Sequence, residues 1–64
     1  MKVTLNGEAV ETGAETLAGL LEEGGFSGRV ATAVNEEFVP AHARDSHNLS
    51  SGDRIEVVAP MQGG

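Results

Sequence analysis

The amino-acid sequence predicts an α+β fold in which one main helix packs on one face of a mixed sheet of four to five strands. Apolar and polar residues alternate in 1–5 and again in 54–59, and a period of two indicates strands with one buried face. Between these ends, Leu17, Leu20 and Leu21 recur at the spacing of an amphipathic helix. Such a helix must bury its apolar face, and one face of the sheet can receive it.

Length and composition limit the size of the core. The chain has 64 residues, so we expect a single domain over 1–64 with a flexible tail at 60–64. It lacks cysteine, so no disulfide can stabilise it, and its aromatic residues are two Phe, so the core must be aliphatic. A core of this size rarely gives more than about 3–5 kcal/mol of net stability.

Ten acidic residues against four Lys or Arg give a formal net charge of −6. Nucleic-acid binding is disfavoured, because Lys or Arg must neutralise the phosphates. The charge suits docking on a basic protein surface, or it only keeps a small protein in solution. The sequence has neither the apolar run of a signal peptide nor the roughly 18 apolar residues of a membrane helix, so we expect a cytoplasmic protein without a membrane partner.

A hairpin is predicted at the start of the chain. Asn6-Gly7 follows the first strand, and both residues tolerate the positive φ of a tight turn, so Glu8–Glu11 should return as the second strand. Thr16 should then cap a helix of about two turns. Gly24-Gly25 offers a left-handed stop, after which Phe26 could fold back on the leucines.

The second half of the chain is predicted to contain three strands. The first is Arg29–Val34, whose buried face the pattern does not identify, and a turn at 35–37 follows it. Phe38-Val39 is a short strand that Pro40 ends, because proline has no N–H for a ladder. The third strand is Arg54–Ala59, after a turn at 51–53.

Within that last strand, Ile55, Val57 and Ala59 should share the core face, and Glu56, Val58 and Pro60 the opposite face. The intervening stretch 41–49 has no clear period and reads as a polar loop with room for one helical turn, anchored by Leu49. The element order is strand, strand, helix, strand, short strand, strand. If the first and last strands are parallel neighbours, this is the β-grasp, or ubiquitin-like, fold.

The terminal Gly63-Gly64 is the first candidate for chemistry. A main-chain carboxylate is ionised at neutral pH and is a poor acyl donor until ATP converts it to an acyl-adenylate. Glycine lets other backbones approach closely, and five residues from Pro60 onward reach at most about 17 Å. The alternative is an end without function. A β-grasp body in front of the glycines favours a tail that enters a partner's active site.

The other candidates are weaker. His42 and His47 flank Asp45 in the polar stretch, but too few ligands are present for a metal, so solvated histidines are favoured and no metal is expected. Adjacent Glu pairs at 22–23 and 36–37 point in different directions, which favours solvated surface over acid–base work. Gly24, Gly25 and Gly28 follow a helix and are better explained as stop signals than as a phosphate loop.

An exposed apolar patch is the remaining candidate. If the helix covers one face of the sheet, Val58 is exposed, and together with Phe38 and Met61 it could form a docking site. The alternative is scattered surface apolar residues, which are common.

Several segments together resemble the ThiS family of sulfur carriers in thiamin biosynthesis, and the resemblance runs nearly end to end. The residues that carry it are Leu5-Asn6-Gly7, Thr16-Leu17 with Leu20-Leu21, 33–40, 52–58, Pro60 and Gly63-Gly64. Ala41 differs from the pattern, because family members often place Arg after the proline.

The resemblance implies a β-grasp carrier and not an enzyme. A ThiF-like adenylyltransferase would use ATP and Mg²⁺ to adenylate Gly64, while the carrier itself binds no cofactor. A cysteine desulfurase relay would supply sulfur for a thiocarboxylate, and a ThiG-like thiazole synthase would receive it. Gly63, Gln62 and Met61 would be threaded into the partner, and Phe38, Val58 and Pro60 would be docking candidates.

Three alternatives stay open at this point. The first is a related carrier for molybdopterin synthesis or tRNA thiolation, although molybdopterin carriers usually have more chain between helix and sheet. The second is a ubiquitin-like modifier that forms isopeptide bonds with lysines. The third is a β-grasp interaction module with an inert tail. The first two share activation of Gly64 with the ThiS reading, so the tail cannot separate them.

Overall fold

The computed structural model describes residues 1–26 and 29–59, and these form a five-stranded mixed sheet with one helix. The elements in chain order are β1 (Lys2–Leu5), β2 (Glu8–Glu11), α1 (Leu17–Glu23), β3 (Ala31–Val34), β4 (Glu37–Val39), the 3₁₀ helix η1 (Ala41–Ser46) and β5 (Arg54–Val58). The strand order is β2-β1-β5-β3-β4, with β1 and β5 parallel and the other pairs antiparallel. The predicted β-grasp fold is confirmed.

The amino-terminal hairpin forms as its turn residues predict. Asn6 and Gly7 adopt φ of 50° and 86°, the pair of positive values that a two-residue hairpin turn needs. Val3 pairs with Val10, and the parallel register then places Leu5 beside Ile55. The first and last strands of the chain therefore share the centre of the sheet.

The helix α1 begins and ends at the predicted signals. Thr16 is the N-cap, and its hydroxyl accepts a hydrogen bond from the Gly19 N–H at 3.2 Å. At the other end, Gly25 has φ of 76°, and the N–H groups of Gly25 and Phe26 donate to the carbonyls of Glu22 and Leu21. This pair of hydrogen bonds is a Schellman motif, and Phe26 packs back on the core.

The core is aliphatic, as the composition requires. It lies between the helix and one face of the sheet, and Leu17, Leu20 and Ile55 are its largest fully buried apolar side chains. Leu49 is also buried, which confirms it as an anchor. The complete buried apolar set is Val3, Leu17, Leu20, Leu21, Val34, Val39, Leu49, Ile55 and Val57.

Two strand boundaries differ from the prediction at the end of the sheet. β3 begins at Ala31 and not at Arg29, because Ala31 pairs with Val58, the last residue of β5. Ala59, predicted on the core face, lies beyond β5 and is exposed. In this antiparallel register, β3 therefore begins at the level of the sheet at which β5 ends.

The segment between β3 and β5 also differs. Glu37 belongs to β4 and not to the turn, because Asn35 and Glu36, with φ of 53° and 73°, complete a two-residue turn that lets Glu37 pair with Val34. The predicted polar loop contains the six-residue 3₁₀ helix η1. Its regularity comes from bonds between residues three apart, such as the Ala43 N–H to the Pro40 carbonyl at 2.9 Å, and such a short helix leaves no long period to detect.

Candidate functional site

The candidate site has two parts, an exposed face of the sheet and the carboxyl end that follows β5. The face opposite α1 is uncovered in the described part of the chain. Phe38 and Val58 stand on it with 66% and 59% of their surface exposed, and they are far more exposed than any core residue. Both were predicted as docking candidates, and the structure places both on this face.

The strand register joins these two side chains into one patch. Ala33 lies between Phe38 on β4 and Glu56 on β5, and Ala31 lies beside Val58. We call the set of Phe38, Ala33, Ala31, Val58 and Glu56 the open-face patch. Its small alanines leave the two larger apolar side chains standing above the sheet, and Glu56 adds one carboxylate.

Sequence reasoning missed Ala31, Ala33 and Glu56 as parts of this patch. Alternation along β5 identified Val58 and Glu56 as neighbours on one face, but it could not show which residues of β3 face them. Pairing of Ala31 with Val58 and of Ala33 with Glu56 depends on the register, and single-strand patterns do not contain the register.

The edge of the patch carries charge. Arg54 precedes it on β5, and its guanidinium lies 3.8 Å from the Glu36 carboxylate, with both side chains largely exposed. An exposed pair of this kind contributes little to folding. The open face therefore combines apolar area with charges that remain available to a partner.

The carboxyl end begins where β5 ends. Val58 is the last residue of the strand, and pairing with Ala31 holds it in the sheet. The predicted tail residues Pro60, Met61, Gln62, Gly63 and Gly64 lie outside the described residues, as does Gly28. The described chain ends at Ala59, directly after Val58 of the open-face patch.

The histidines and the paired glutamates do not assemble into a site. His42 is exposed in η1, while the half-buried His47 accepts a hydrogen bond on its carbonyl from the Leu17 N–H at 3.0 Å. Glu23 accepts hydrogen bonds from the Thr12 hydroxyl and the Gly13 N–H, so it ties the loop before α1 to the end of that helix. In residues 1–26 and 29–59, no three His, Cys, Asp or Glu side chains group as a metal site.

A shallow groove of about 440 Å³ lies on the helix side, between α1 and η1. Leu21 and Phe26 form one wall, and Arg44 lies in the other. The Arg44 guanidinium is occupied, since its Nε donates to the Thr32 hydroxyl at 3.0 Å and its Nη2 to the Val30 carbonyl at 2.6 Å. Among the described residues, Glu22 and Asp45 add carboxylates to this lining, so the groove combines apolar walls with charged groups.

The model of the ThiS family matches this chain over residues 3–64. The chain belongs to the ThiS family. A solved structure of the thiamine biosynthesis protein ThiS from Geobacter metallireducens matches it with a TM-score of 0.83 at 29% sequence identity, and the match covers 100% of both chains. No curated protein matches the chain significantly.

Membership of the ThiS family confirms the resemblance drawn from the sequence. The family match includes Gly63 and Gly64, and the structural match covers the β-grasp body on which the tail depends. No helix in the described ranges is long and apolar enough to cross a membrane.

Proposed function

We propose that this protein is a sulfur carrier of thiamin biosynthesis, in which the main-chain carboxylate of Gly64 becomes a thiocarboxylate that donates sulfur for thiazole formation. The observation that carries the proposal is the ThiS family match over 3–64, which includes both terminal glycines. The solved ThiS structure from Geobacter metallireducens supports the assignment to thiamin biosynthesis. The protein acts as a carrier and co-substrate, and an enzyme partner supplies the catalytic groups.

The chemistry uses the carboxylate of Gly64 and no side chain of this chain. A carboxylate oxygen attacks the α-phosphorus of ATP, pyrophosphate leaves, and a mixed carboxylic–phosphoric anhydride forms. The terminal sulfur of a partner persulfide then attacks the carbonyl carbon and displaces AMP, which gives an acyl disulfide. A partner thiol attacks the other sulfur of that S–S bond, so a thiocarboxylate remains on Gly64 and the two partner sulfurs form a disulfide. Mg²⁺ and the ATP site belong to the ThiF-like partner, and the sulfur derives from a cysteine desulfurase relay.

The two terminal glycines fit this chemistry. The absence of a Cβ lets the backbone of a partner approach closely, so a glycine end can enter a narrow channel that side chains would block. Gly63, Gln62 and Met61 would occupy that channel, and Pro60 would limit further pairing with the sheet because it has no N–H. The folded body then stays outside the partner's active site.

The open-face patch is the proposed docking surface. Exposed apolar side chains beside a tail that must reach an active site favour a contact there, since burying Phe38 and Val58 removes apolar surface from water. Glu56 within the patch and the net charge of −6 favour a partner surface that sets a Lys or Arg among apolar side chains. The proposed partners are the ThiF-like adenylyltransferase and the ThiG-like thiazole synthase, which receives the sulfur.

Growth of a thiamin-requiring host that lacks its own carrier tests the proposal. The wild-type chain should restore growth without thiamin. Deletion of Gly64, or one added residue after it, should abolish that rescue while the free energy of unfolding stays unchanged, because the buried core of the described chain is built from residues 3–57. A variant with an added residue that still restores growth would contradict the role of the terminal carboxylate.

The same host separates the alternatives. Wild-type protein that fails to restore growth without thiamin, but restores molybdopterin synthesis or tRNA thiolation in hosts lacking those carriers, would assign it to a related pathway. Lysine-linked adducts that require Gly64 would identify a modifier. Absence of every one of these outcomes would leave an interaction module with an inert tail.

A further inference from the structure

The side chain of Asn6 forms a hydrogen-bonded pair with the backbone of Val57, across 51 positions of sequence. Its Nδ2 donates to the Val57 carbonyl at 3.1 Å, and the Val57 N–H donates to its Oδ1 at 2.9 Å. The main-chain N–H of Asn6 also donates to the Ile55 carbonyl at 2.8 Å. One residue in the first turn therefore makes three hydrogen bonds to the last strand.

These bonds replace strand pairing where the neighbouring strand ends. The parallel register pairs Thr4 with Arg54 and Leu5 with Ile55, after which β1 turns away at Asn6. β5 continues through Val58, so the N–H and carbonyl of Val57 would lack a strand partner on that edge. The Asn6 side-chain amide carries both N–H donors and a carbonyl acceptor, so it satisfies both backbone groups of Val57.

The opposite end of β5 has a matching arrangement. Asn35 also has a positive φ, and its Oδ1 accepts from the Arg54 N–H at 2.9 Å while its main-chain N–H donates to the Arg54 carbonyl at 2.7 Å. Asn35 thus satisfies the backbone N–H and carbonyl of Arg54, on the side of β5 that faces β3. Asn6 satisfies those of Val57, on the side that faces β1, three positions before Pro60.

The choice of residue at position 6 supports a role beyond the turn. A turn with positive φ at both central positions accepts glycine as readily as asparagine. Glycine would offer no amide to Val57, and aspartate would accept from its N–H but could not donate to its carbonyl. Among common turn residues, asparagine supplies both bonds.

We propose that Asn6 is a positioning residue that fixes the point at which the carboxyl-terminal arm leaves the sheet. This inference rests on the proposed carrier function. Without the Asn6 bonds, only β3 would hold the end of β5, through Thr32 and Ala31, so Val57 and Val58 would leave the sheet more often. Each time they did, the carboxyl-terminal arm would begin before Val58, and the reactive end would sample a larger volume. A longer, looser tether lowers the effective concentration of the terminal carboxylate at the partner's ATP, and poor positioning slows the reaction.

Replacement of each asparagine by glycine tests the role with a matched control. Asn6→Gly and Asn35→Gly both keep the positive φ accessible, and both remove a side chain that accepts from a β5 N–H. Two measurements are made on the full chain: amide hydrogen exchange, and the rate of adenylate formation with the ThiF-like enzyme and ATP at saturating carrier concentration.

For Asn6→Gly, we expect exchange of the Val57 amide to become about tenfold faster, as loss of one hydrogen bond implies. The rate at saturation should fall by about tenfold, because the carboxylate is less often in place to react. For Asn35→Gly, the Arg54 amide should lose protection to a similar extent while the saturated rate stays at the wild-type value. Equal unfolding free energies of the two variants would exclude a general loss of stability as the cause.

Other outcomes overturn the inference. An Asn6→Gly protein with a wild-type rate at saturation refutes the positioning role and leaves the carrier function standing, as does an equal fall in both variants. Unchanged protection of Val57 refutes the structural premise. A wild-type chain that never forms an adenylate refutes the proposed function itself and the positioning role with it.

Discussion

The two faces of the sheet use the same strands for different purposes. On the covered face, Ile55 and Val57 of β5 are almost fully buried under the helix, whereas Val58 on the open face keeps 59% of its surface exposed. Burial of an apolar side chain contributes roughly 1.5–3 kcal/mol, so the covered face stabilises the fold. The exposed apolar side chains contribute little to it. The proposed docking role gives Phe38 and Val58 a contact outside the chain.

The largest expected effect is on the covered face. Leu20 is 2% exposed, so Leu20→Ala should lower the free energy of unfolding by about 2–5 kcal/mol, because it removes buried methyl groups and leaves a cavity. Urea denaturation measures the change. Val58→Ala is the matched control on the open face and should change the value by less than about 0.5 kcal/mol. Similar losses in the two variants would end the distinction between the faces.

The next effect belongs to the open face. Phe38→Ser should weaken binding to the ThiF-like enzyme by at least about tenfold, since a few large side chains carry most of the binding energy of an interface and Phe38 is the largest apolar side chain of the open-face patch. Titration calorimetry measures the affinity, and the unfolding free energy should stay within about 0.5 kcal/mol of wild type. Ala9→Ser, on the same face but in β2 at the opposite edge of the sheet, should bind normally. Normal binding by Phe38→Ser would place the contact elsewhere.

A smaller effect is expected where the helix meets the covered face. Thr16→Ala removes the hydroxyl that accepts from Gly19 N–H and should destabilise the protein by about 1 kcal/mol. Thr16→Ser keeps the acceptor and should retain most of that stability. Thermal unfolding compares the two. A Thr16→Ala variant as stable as wild type would show that packing of the leucines alone holds the helix in place.

The smallest effect concerns the charges at the edge of the open-face patch. Glu36→Gln removes the exposed pair with Arg54 and should change the unfolding free energy by less than about 0.5 kcal/mol. Urea denaturation at low and high salt checks it. A clear, salt-sensitive loss would show that the open face also stabilises the fold, which would weaken the comparison.

Much of the fold could be predicted because local signals agreed with the tertiary structure. Asn6-Gly7 fixed the first hairpin, and Thr16 and Gly25 marked the ends of the helix. Alternation in β5 identified its buried residues Ile55 and Val57. Each of these signals lies within a few residues of the feature that it specifies.

The predictions were wrong where residues distant in the sequence determine the boundary of a strand. β3 starts at Ala31 because its partner β5 ends at Val58, and no pattern near Arg29 contains that information. Glu37 joins β4 because Glu36 accepts a positive φ that a sequence reading assigns first to glycine or asparagine.

The candidate site also contains residues that the sequence could predict and residues that it could not. Phe38 and Val58 were identified from exposure expected on the open face, whereas Ala31 and Ala33 join them only through the register. The pairing of Asn6 with Val57 was not predicted either, because the turn signal explains an asparagine at position 6 without any long-range bond. Gly64 was chosen from chemistry and family resemblance, and its role stays a prediction.

The intact mass of the protein tests the central claim most directly. The chain is incubated with a ThiF-like enzyme, ATP, Mg²⁺ and a sulfur source, beside a variant lacking Gly64 that reports whether reaction needs the native end. Our account predicts that the mass of the wild-type chain rises by the difference between one sulfur and one oxygen atom, while the mass of the shortened variant does not change. An unchanged wild-type mass under conditions in which the same enzyme modifies its own carrier would contradict it.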